Sequence, residues 1–477
     1  MVRENEEAFH TALYEDLHRS RVETVLGEFS PILHEVVETY NHIDEWTKDI
    51  KPPTTATYQV MRPRIKPSPK GIVLIIAPFN YPLNLSLTPL ISAIAAGNTV
   101  VIKFSESLPT VSPLVEELIA KYLDPDVVRV VQGAVDEVNE LLKLEWNHIF
   151  FTGSTKVGKI IATAAAKFIT PVTLELGGKC PIIVDPRKAD FKVIARRILW
   201  GRTSNSGQVC VCPDYVLIPR THQRQLVDAL KEVYVEFYPG GPQTSDSFGR
   251  LVNSGSVKRI TGYLEGSKGD VVLGGLTNAS KDGDPKYLPP TVVANVLGDD
   301  ATMQEEMFGP VISIVPIDSL DDAIKFINDR PQPLALYVFS HDSEFKKKVT
   351  RSTRSGAIDF NDTMTHAIAA GLAFGGSGNS GYGQYHGKYG FDTFTHYRSS
   401  LETPTWAEAV LSFRYPPFPS WKLKMAEISL LPSRFPFDKN GKKTLLSRIQ
   451  SFLPMFLVIV LAYYYRRDIR ARSPIKF

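Results

Sequence analysis

An α/β architecture built on parallel sheet follows from two features of the 477-residue chain. From residue 71 onward, short apolar runs alternate with segments of helical periodicity. The runs are too uniformly apolar for a sheet with one wet face, and match strands buried on both sides by crossover helices. With 43% hydrophobic and 22% charged residues the chain is globular in composition, and long enough for two or three packed units.

The elements follow in order. Residues 5–48 place Phe9, Leu13 and Leu17, then Ile32, Val36, Tyr40 and Ile43, at helical spacing, which predicts amphipathic helices. A Pro-rich extended stretch covers 52–69. GIVLIIA at 71–77 predicts a buried strand, 86–96 a helix, TVVIKF at 99–104 a strand and 112–122 a helix. Strands at 127–131, 148–151 and 172–176 then alternate with helices at 135–143 and 154–167. A second α/β stretch runs from about 181 to 374, with strand-like 214–219, 270–273 and 334–339. From Gly371 the chain is rich in glycine and aromatic residues, then Pro-punctuated through Phe437.

Three cysteines (Cys180, Cys210, Cys212) make no disulfide framework, and Cys210-Val211-Cys212 is one residue short of the usual metal or redox pair. A reducing, cytosol-facing compartment fits this usage. The acidic start, Met1-Val2-Arg3-Glu4-Asn5-Glu6-Glu7, argues against a secretory signal. Of the net charge of +3, residues 434–477 contribute ten Lys or Arg against two Asp, or +8, leaving −5 for the rest. An acidic body with a basic tail argues against a nucleic-acid surface and for a membrane one.

Within the tail, 449–465 (IQSFLPMFLVIVLAYYY) carries no charge over 17 residues and is bounded by Arg448 and Arg466-Arg467. As a helix it reaches roughly 25 Å, short of the ~30 Å hydrocarbon core. Pro454 weakens its start, while the tyrosines and arginines suit an interface. It predicts a membrane anchor that either crosses or lies in one leaflet; a buried terminal helix is the plainer alternative.

Three short stretches carry chemistry. Phe150-Phe151-Thr152-Gly153-Ser154-Thr155-Lys156-Val157-Gly158-Lys159-Ile160 ends a strand in a glycine turn and opens a helix, an arrangement whose free N–H groups favour phosphate. Ile160 stands where a nucleotide-triphosphate loop needs a hydroxyl, and a plain tight turn explains the stretch as well. Glu175, in Val172–Lys179, puts a carboxylate in an apolar strand before two glycines. Such a group is either a base with a raised pKa or a strand end that reaches water. Cys210, after Asn205-Ser206-Gly207-Gln208-Val209, is either a thiol nucleophile for a carbonyl or a small buried side chain. No cluster of metal ligands stands out.

Read together, Pro78–Pro82, Lys103–Glu106, Phe151–Gly158, Leu174–Lys179, Gly207–Cys210, Glu305–Pro310 and Phe374–Gly381 occur in one order that resembles the aldehyde dehydrogenase superfamily, over roughly Gly71 to Ser399. The short N-terminus, Tyr385–Phe394 and Arg414-Tyr415-Pro416-Pro417 look like its class 3, fatty aldehyde dehydrogenase branch. That branch often has Pro in place of Ala373 and Val in place of Ser377, which bears on the shape of one loop. The resemblance implies a Rossmann-type NAD(P)-binding domain (1–57 and 71–180) and an α/β catalytic domain (181–389). Bridging, oligomerising strands (58–70 and 390–404), a gating or linker region (405–448) and the anchor (449–465) complete it.

The same resemblance implies roles. Cys210 is the nucleophile, Glu175 the base for deacylation, and Asn80 with the Cys210 N–H the oxyanion hole. Lys103 and Glu106 hold the adenosine ribose; Gly153, Ser154 and Gly158 lie at the pyrophosphate; Glu306 holds the nicotinamide ribose, with Phe308 packing nearby. Glu106 favours NAD over NADP, since a carboxylate accepts from a 2′-hydroxyl and repels a 2′-phosphate, although the branch takes both. The implied enzyme is a homodimer that oxidises long-chain or other lipophilic aldehydes, its body facing the cytosol. It would sit on the mitochondrial outer membrane, peroxisome, lipid droplet or endoplasmic reticulum. Apocarotenal, retinal-type and aromatic aldehydes are alternative substrates. An inactive membrane scaffold and a coenzyme A-dependent reductase are rival readings, opposed by the joint presence of Cys210, Glu175 and Asn80. Cys212 beside the nucleophile raises the expectation of greater sensitivity to oxidation.

Overall fold

The computed structural model describes residues 1–54, 56–59, 61–276, 283–431 and 437–442. The tail at 449–465 lies outside them. Among the described residues no helix is long and apolar enough to cross a membrane.

The strands are β1 (Arg64–Pro69), β2 (Ile72–Ile76), β3 (Thr99–Lys103), β4 (Val128–Val131), β5 (His148–Thr152), β6 (Val172–Glu175), β7 (Cys180–Val184) and β8 (Pro213–Pro219). Then come β9 (Asp270–Leu273), β10 (Thr291–Ala294), β11 (Val311–Ile317), β12 (Ala335–Phe339), β13 (Ala357–Phe360), β14 (Gly381–Tyr382) and β15 (Thr395–Ser400). They form a six-stranded sheet in the order β14-β6-β5-β2-β3-β4, a seven-stranded sheet β13-β12-β7-β8-β11-β10-β9, and the pair β1-β15.

One compact unit, 1–49 with 66–398, holds both large sheets. In the first, β6 to β4 run parallel, and β2 lies between β3 and β5 with Ile76 opposite both Lys103 and Phe151. Strand order therefore reverses between β2 and β5. The crevice beyond the carboxyl ends of those strands is where ligands bind in such sheets. Val73, Leu74 and Ile75 are fully buried, as a strand covered on both faces requires. The second sheet is parallel except for β9, which runs antiparallel to β10.

The N-terminal helices form as expected over Glu6–Leu17 and Ser30–Trp46, but the second presents a different face. It buries Ile32, Glu35, Thr39 and Trp46, while Val36 and Tyr40 are 44% and 81% exposed. The reason is polar. Glu35 turns inward because its carboxylate accepts the Gly387 N–H at 2.9 Å and the Ser92 hydroxyl at 3.2 Å.

The other unit, whose described residues fall within 50–65, 399–431 and 437–442, contains the Ile50–Ile65 bridge and the Glu402 N–H bonded to the Met61 carbonyl. Met61, Ala407 and Leu411 form its small core. A helix spans Ser420–Leu430, and Trp406, Phe418, Trp421 and Leu423 are exposed.

Candidate active site

Asn80 follows β2, and Cys210 lies in the segment that enters β8. The loop before Cys210 is strained: Asn205 and Ser206 have φ of 48° and 54°, and Gly207 has 75°. Only glycine suits the third position, because a Cβ there would strike the Gly309 carbonyl. The turn persists because it is tied down from several sides. Asn205 Nδ2 donates to the Asn80 carbonyl at 2.9 Å and to the Gln208 carbonyl at 3.1 Å, while Gln208 Nε2 donates to the Asn205 and Arg250 carbonyls, each at 3.0 Å.

Asn80 is buried, and its own Nδ2 donates to the Gln208 carbonyl at 3.1 Å. A carboxamide has two N–H donors, and this bond uses one of them. The Cys210 thiol is pushed up to about 12 by burial, then by the like charges of Glu306 and Glu175, against hydrogen bonds from the Cys210 and Val211 N–H groups. The charges of both carboxylates thus reach the thiol.

Glu175 ends β6 and is 2% exposed, with neither carboxyl oxygen partnered by a protein donor. Burial alone raises its pKa well above the carboxylate range. Its backbone is held by the Gly153 N–H on its carbonyl at 3.0 Å and by Gly381 opposite in β14. Tyr385, also buried, feels the charges of both Glu175 and Cys210.

Glu306 is raised to about 8 by burial, then by Asp214, against a hydrogen bond from the Gly178 N–H. Gly177 admits it, since a Cβ there would meet its carboxyl. The segment around it is clamped by cations. Arg259 donates to the Glu306 and Met307 carbonyls at 3.2 and 2.6 Å, Lys179 to the Thr302 and Glu305 carbonyls at 2.8 and 3.0 Å, and Arg202 to the Gly309 carbonyl. Phe308, with φ 44°, meets Phe79 edge-on at 5.7 Å.

At the strand-order reversal, Ser154 caps the helix Thr155–Ala166 by accepting the Val157 N–H at 3.3 Å. Gly158 lets that helix pack on the sheet, since a Cβ would lie 2.7 Å from Leu176. Lys103, buried at the end of β3, holds Glu106 at 2.8 Å. Burial works to raise Glu106, but the Lys103 bond and charge outweigh it and hold the carboxyl below its ordinary value. The residues fit a dinucleotide by an independent mark: the Thr152 hydroxyl, buried at the end of β5 beside Gly153, has no protein partner. A buried polar atom of that kind calls for a ligand or water.

The expected residues thus fall into two neighbourhoods. Asn80, Glu175, Cys210 and Glu306 gather at the thiol; Lys103 with Glu106 and Gly153 with Ser154 lie at the carboxyl edge of the first sheet. Cys212 is buried with its sulfur on the Gly201 carbonyl at 3.1 Å and its thiol pushed up to about 12 by burial. That speaks against a role in oxidation. Arg19, Asn205, Lys179, Asp214, Arg202 and Arg259 support the site without having been singled out. Asn205 and Lys179 stand inside the motifs; the arginines carry no signal in a chain with 54 basic residues.

An aldehyde dehydrogenase family model matches residues 2–400. Human aldehyde dehydrogenase family 3 member B1 is 43% identical over 90% of both chains. The dog enzyme named aldehyde dehydrogenase, dimeric NADP-preferring, is 43% identical over 87% of this chain and 90% of its own. Staphylococcus aureus AldH, solved in a substrate-bound state, superposes with a TM-score of 0.84 at 40% identity, covering 90% of this chain and 92% of its own. With fold, ordered motifs and relatives in agreement, this chain belongs to the aldehyde dehydrogenase family.

Proposed function

We propose that the protein oxidises lipophilic aldehydes, long-chain ones foremost, to carboxylic acids through a thioester on Cys210. The observation that carries this reading is one thiol clustered with two buried carboxylates of raised pKa, beside an amide donor anchored next to it.

In this scheme the Cys210 thiolate attacks the aldehyde carbon, and the Asn80 amide and Cys210 N–H receive the developing oxyanion. Preorganised donors of this kind are worth about 10²- to 10³-fold in rate. A bound nicotinamide supplies the two-electron acceptor that turns the adduct into a thioester. Glu175 then takes a proton from water, which cleaves the thioester and releases the acid. An unpartnered carboxylate whose pKa is raised by burial is a stronger base than a solvated one, which suits that step. Gly153, Ser154 and Gly158 would hold the pyrophosphate, Lys103 and Glu106 the adenosine ribose, and Glu306 the nicotinamide ribose, with Phe308 alongside. NAD is the cofactor that Glu106 favours; the dog relative's name keeps NADP in view.

The substrate class rests on the uncharged 449–465 segment and on the exposed Trp406, Phe418 and Trp421. A greasy aldehyde concentrates in lipid, so an enzyme tethered there on the cytosolic side meets it at high local concentration. Assembly as a homodimer through β1 and β15 belongs to the same reading. The test is reduced-nicotinamide formation from decanal without coenzyme A. Turnover by the wild type and none by Cys210→Ala supports the scheme, while equal rates refute it.

A further inference from the structure

The helix Glu6–Leu17 ends at His18, whose φ of 52° turns the chain into the protein, and Arg19 enters 1% exposed. Its guanidinium contacts parts of three segments. Nη1 donates to Glu28 Oε1 at 2.5 Å; Nη2 donates to Asn205 Oδ1 at 2.8 Å and to the Asn80 carbonyl; Nε donates to Asn205 Oδ1 at 3.3 Å. The group also stacks over Tyr81, 4.6 Å from the ring centre. Glu28 is fixed in turn by the Asn84 N–H at 2.7 Å, and Glu23 accepts the Asn205 N–H at 2.9 Å.

These bonds close on the oxyanion donor. The Asn80 carbonyl receives both Arg19 and Asn205, while the Gln208 carbonyl receives the side chains of Asn80 and Asn205. Arg19 therefore braces both walls between which an oxyanion would sit: the backbone of Asn80 and the strained turn leading to Cys210. A lysine cannot reproduce this, because one ammonium lacks the planar fork that reaches Glu28, Asn205 and Asn80 together.

We infer that Arg19, acting through Asn205, is a positioning residue that sets the Asn80 amide against Cys210, so that the N-terminal segment is part of the catalytic apparatus. The inference rests on the proposed role of Cys210 and Asn80. Misplacing a preorganised donor lowers the rate of the step it serves more than it weakens substrate binding.

The experiment measures kcat and KM for decanal, per alkylatable Cys210, together with melting temperature. Arg19→Lys and Asn205→Gly are compared with wild type and with the surface control Arg21→Gln. Glycine at 205 keeps the positive φ while deleting the side chain. Both variants are expected to lose about 10- to 100-fold in kcat, with KM within about twofold, while the control matches wild type. Guanidinium ion added to Arg19→Ala is expected to restore part of kcat. Should Arg19→Lys fail to fold, Asn205→Gly decides by the same split. Unchanged kcat per competent thiol in the folded variants overturns the inference, and leaves the proposed reaction standing. Undiminished turnover by Cys210→Ala would instead defeat the reaction itself.

Discussion

A thiol hemmed in by carboxylates is a weak nucleophile near neutrality, and this governs how Cys210 should behave when no cofactor is bound. Its raised pKa means that the thiolate fraction, and with it the rate of iodoacetamide alkylation, climbs from pH 7 to 9 by up to about tenfold per pH unit, less where Glu306 ionises. Glu306 is raised to about 8, so below that pH it is mostly neutral and repels little; above it the carboxylate opposes the thiolate. Glu306→Gln is therefore expected to speed alkylation at pH 9 and to change it little at pH 6.5. A slower variant at pH 9 would contradict that electrostatic picture. For Cys212 the expectation is a null effect: with its sulfur buried on the Gly201 carbonyl, Cys212→Ala and wild type should lose activity to peroxide at equal rates. At the cofactor edge, Glu106→Gln removes the carboxylate that repels a 2′-phosphate. The ratio of kcat/KM for NAD⁺ to that for NADP⁺ should fall by about tenfold; an unchanged ratio would show that Glu106 does not read the ribose.

At the scale of the element, the loop from Asn205 to Gln208 matters more than any strand. Its third residue must be glycine, by φ and by the Gly309 carbonyl. Gly207→Ala is expected to cost at least tenfold in kcat while the far-ultraviolet circular dichroism stays native; full activity would show that the turn need not be kept. The strands themselves were legible in the residues. GIVLIIA and TVVIKF read as buried because parallel strands covered on both faces have no polar side to obscure them. The N-terminal helix 30–46 was legible in period but not in face, since the polar Glu35 and Thr39 lie inside. Helical periodicity registers apolar residues and is blind to a carboxylate that goes inward for a backbone N–H. The proposed cluster was legible only through the ordered motifs taken together, since Cys210 and Glu175 each have a plainer reading alone. Arg19 was not: it lies 61 residues from Asn80 and 186 from Asn205, and only the fold brings it to them.

For the whole molecule, both large sheets lie in one unit, and strand order in the first reverses between β2 and β5, where such sheets bind ligands. The site is built where the first sheet's β6 ends and the second sheet's β8 begins, so its shape depends on both. The lipophilic-substrate reading belongs to this scale as well. Across a series from C4 to C16 aldehydes, kcat/KM should rise with chain length for detergent-solubilised enzyme, and a decline with length would remove fatty aldehydes from the account.

The most direct test of the central claim, that Cys210 becomes acylated and is freed by water through Glu175, is intact-protein mass spectrometry of Glu175→Gln after a single turnover with decanal and NAD⁺. The account predicts one stoichiometric decanoyl adduct, mapped to Cys210 and released far more slowly than in wild type. A variant that turns over at the wild-type rate with no adduct, or that carries the acyl group elsewhere, would contradict it.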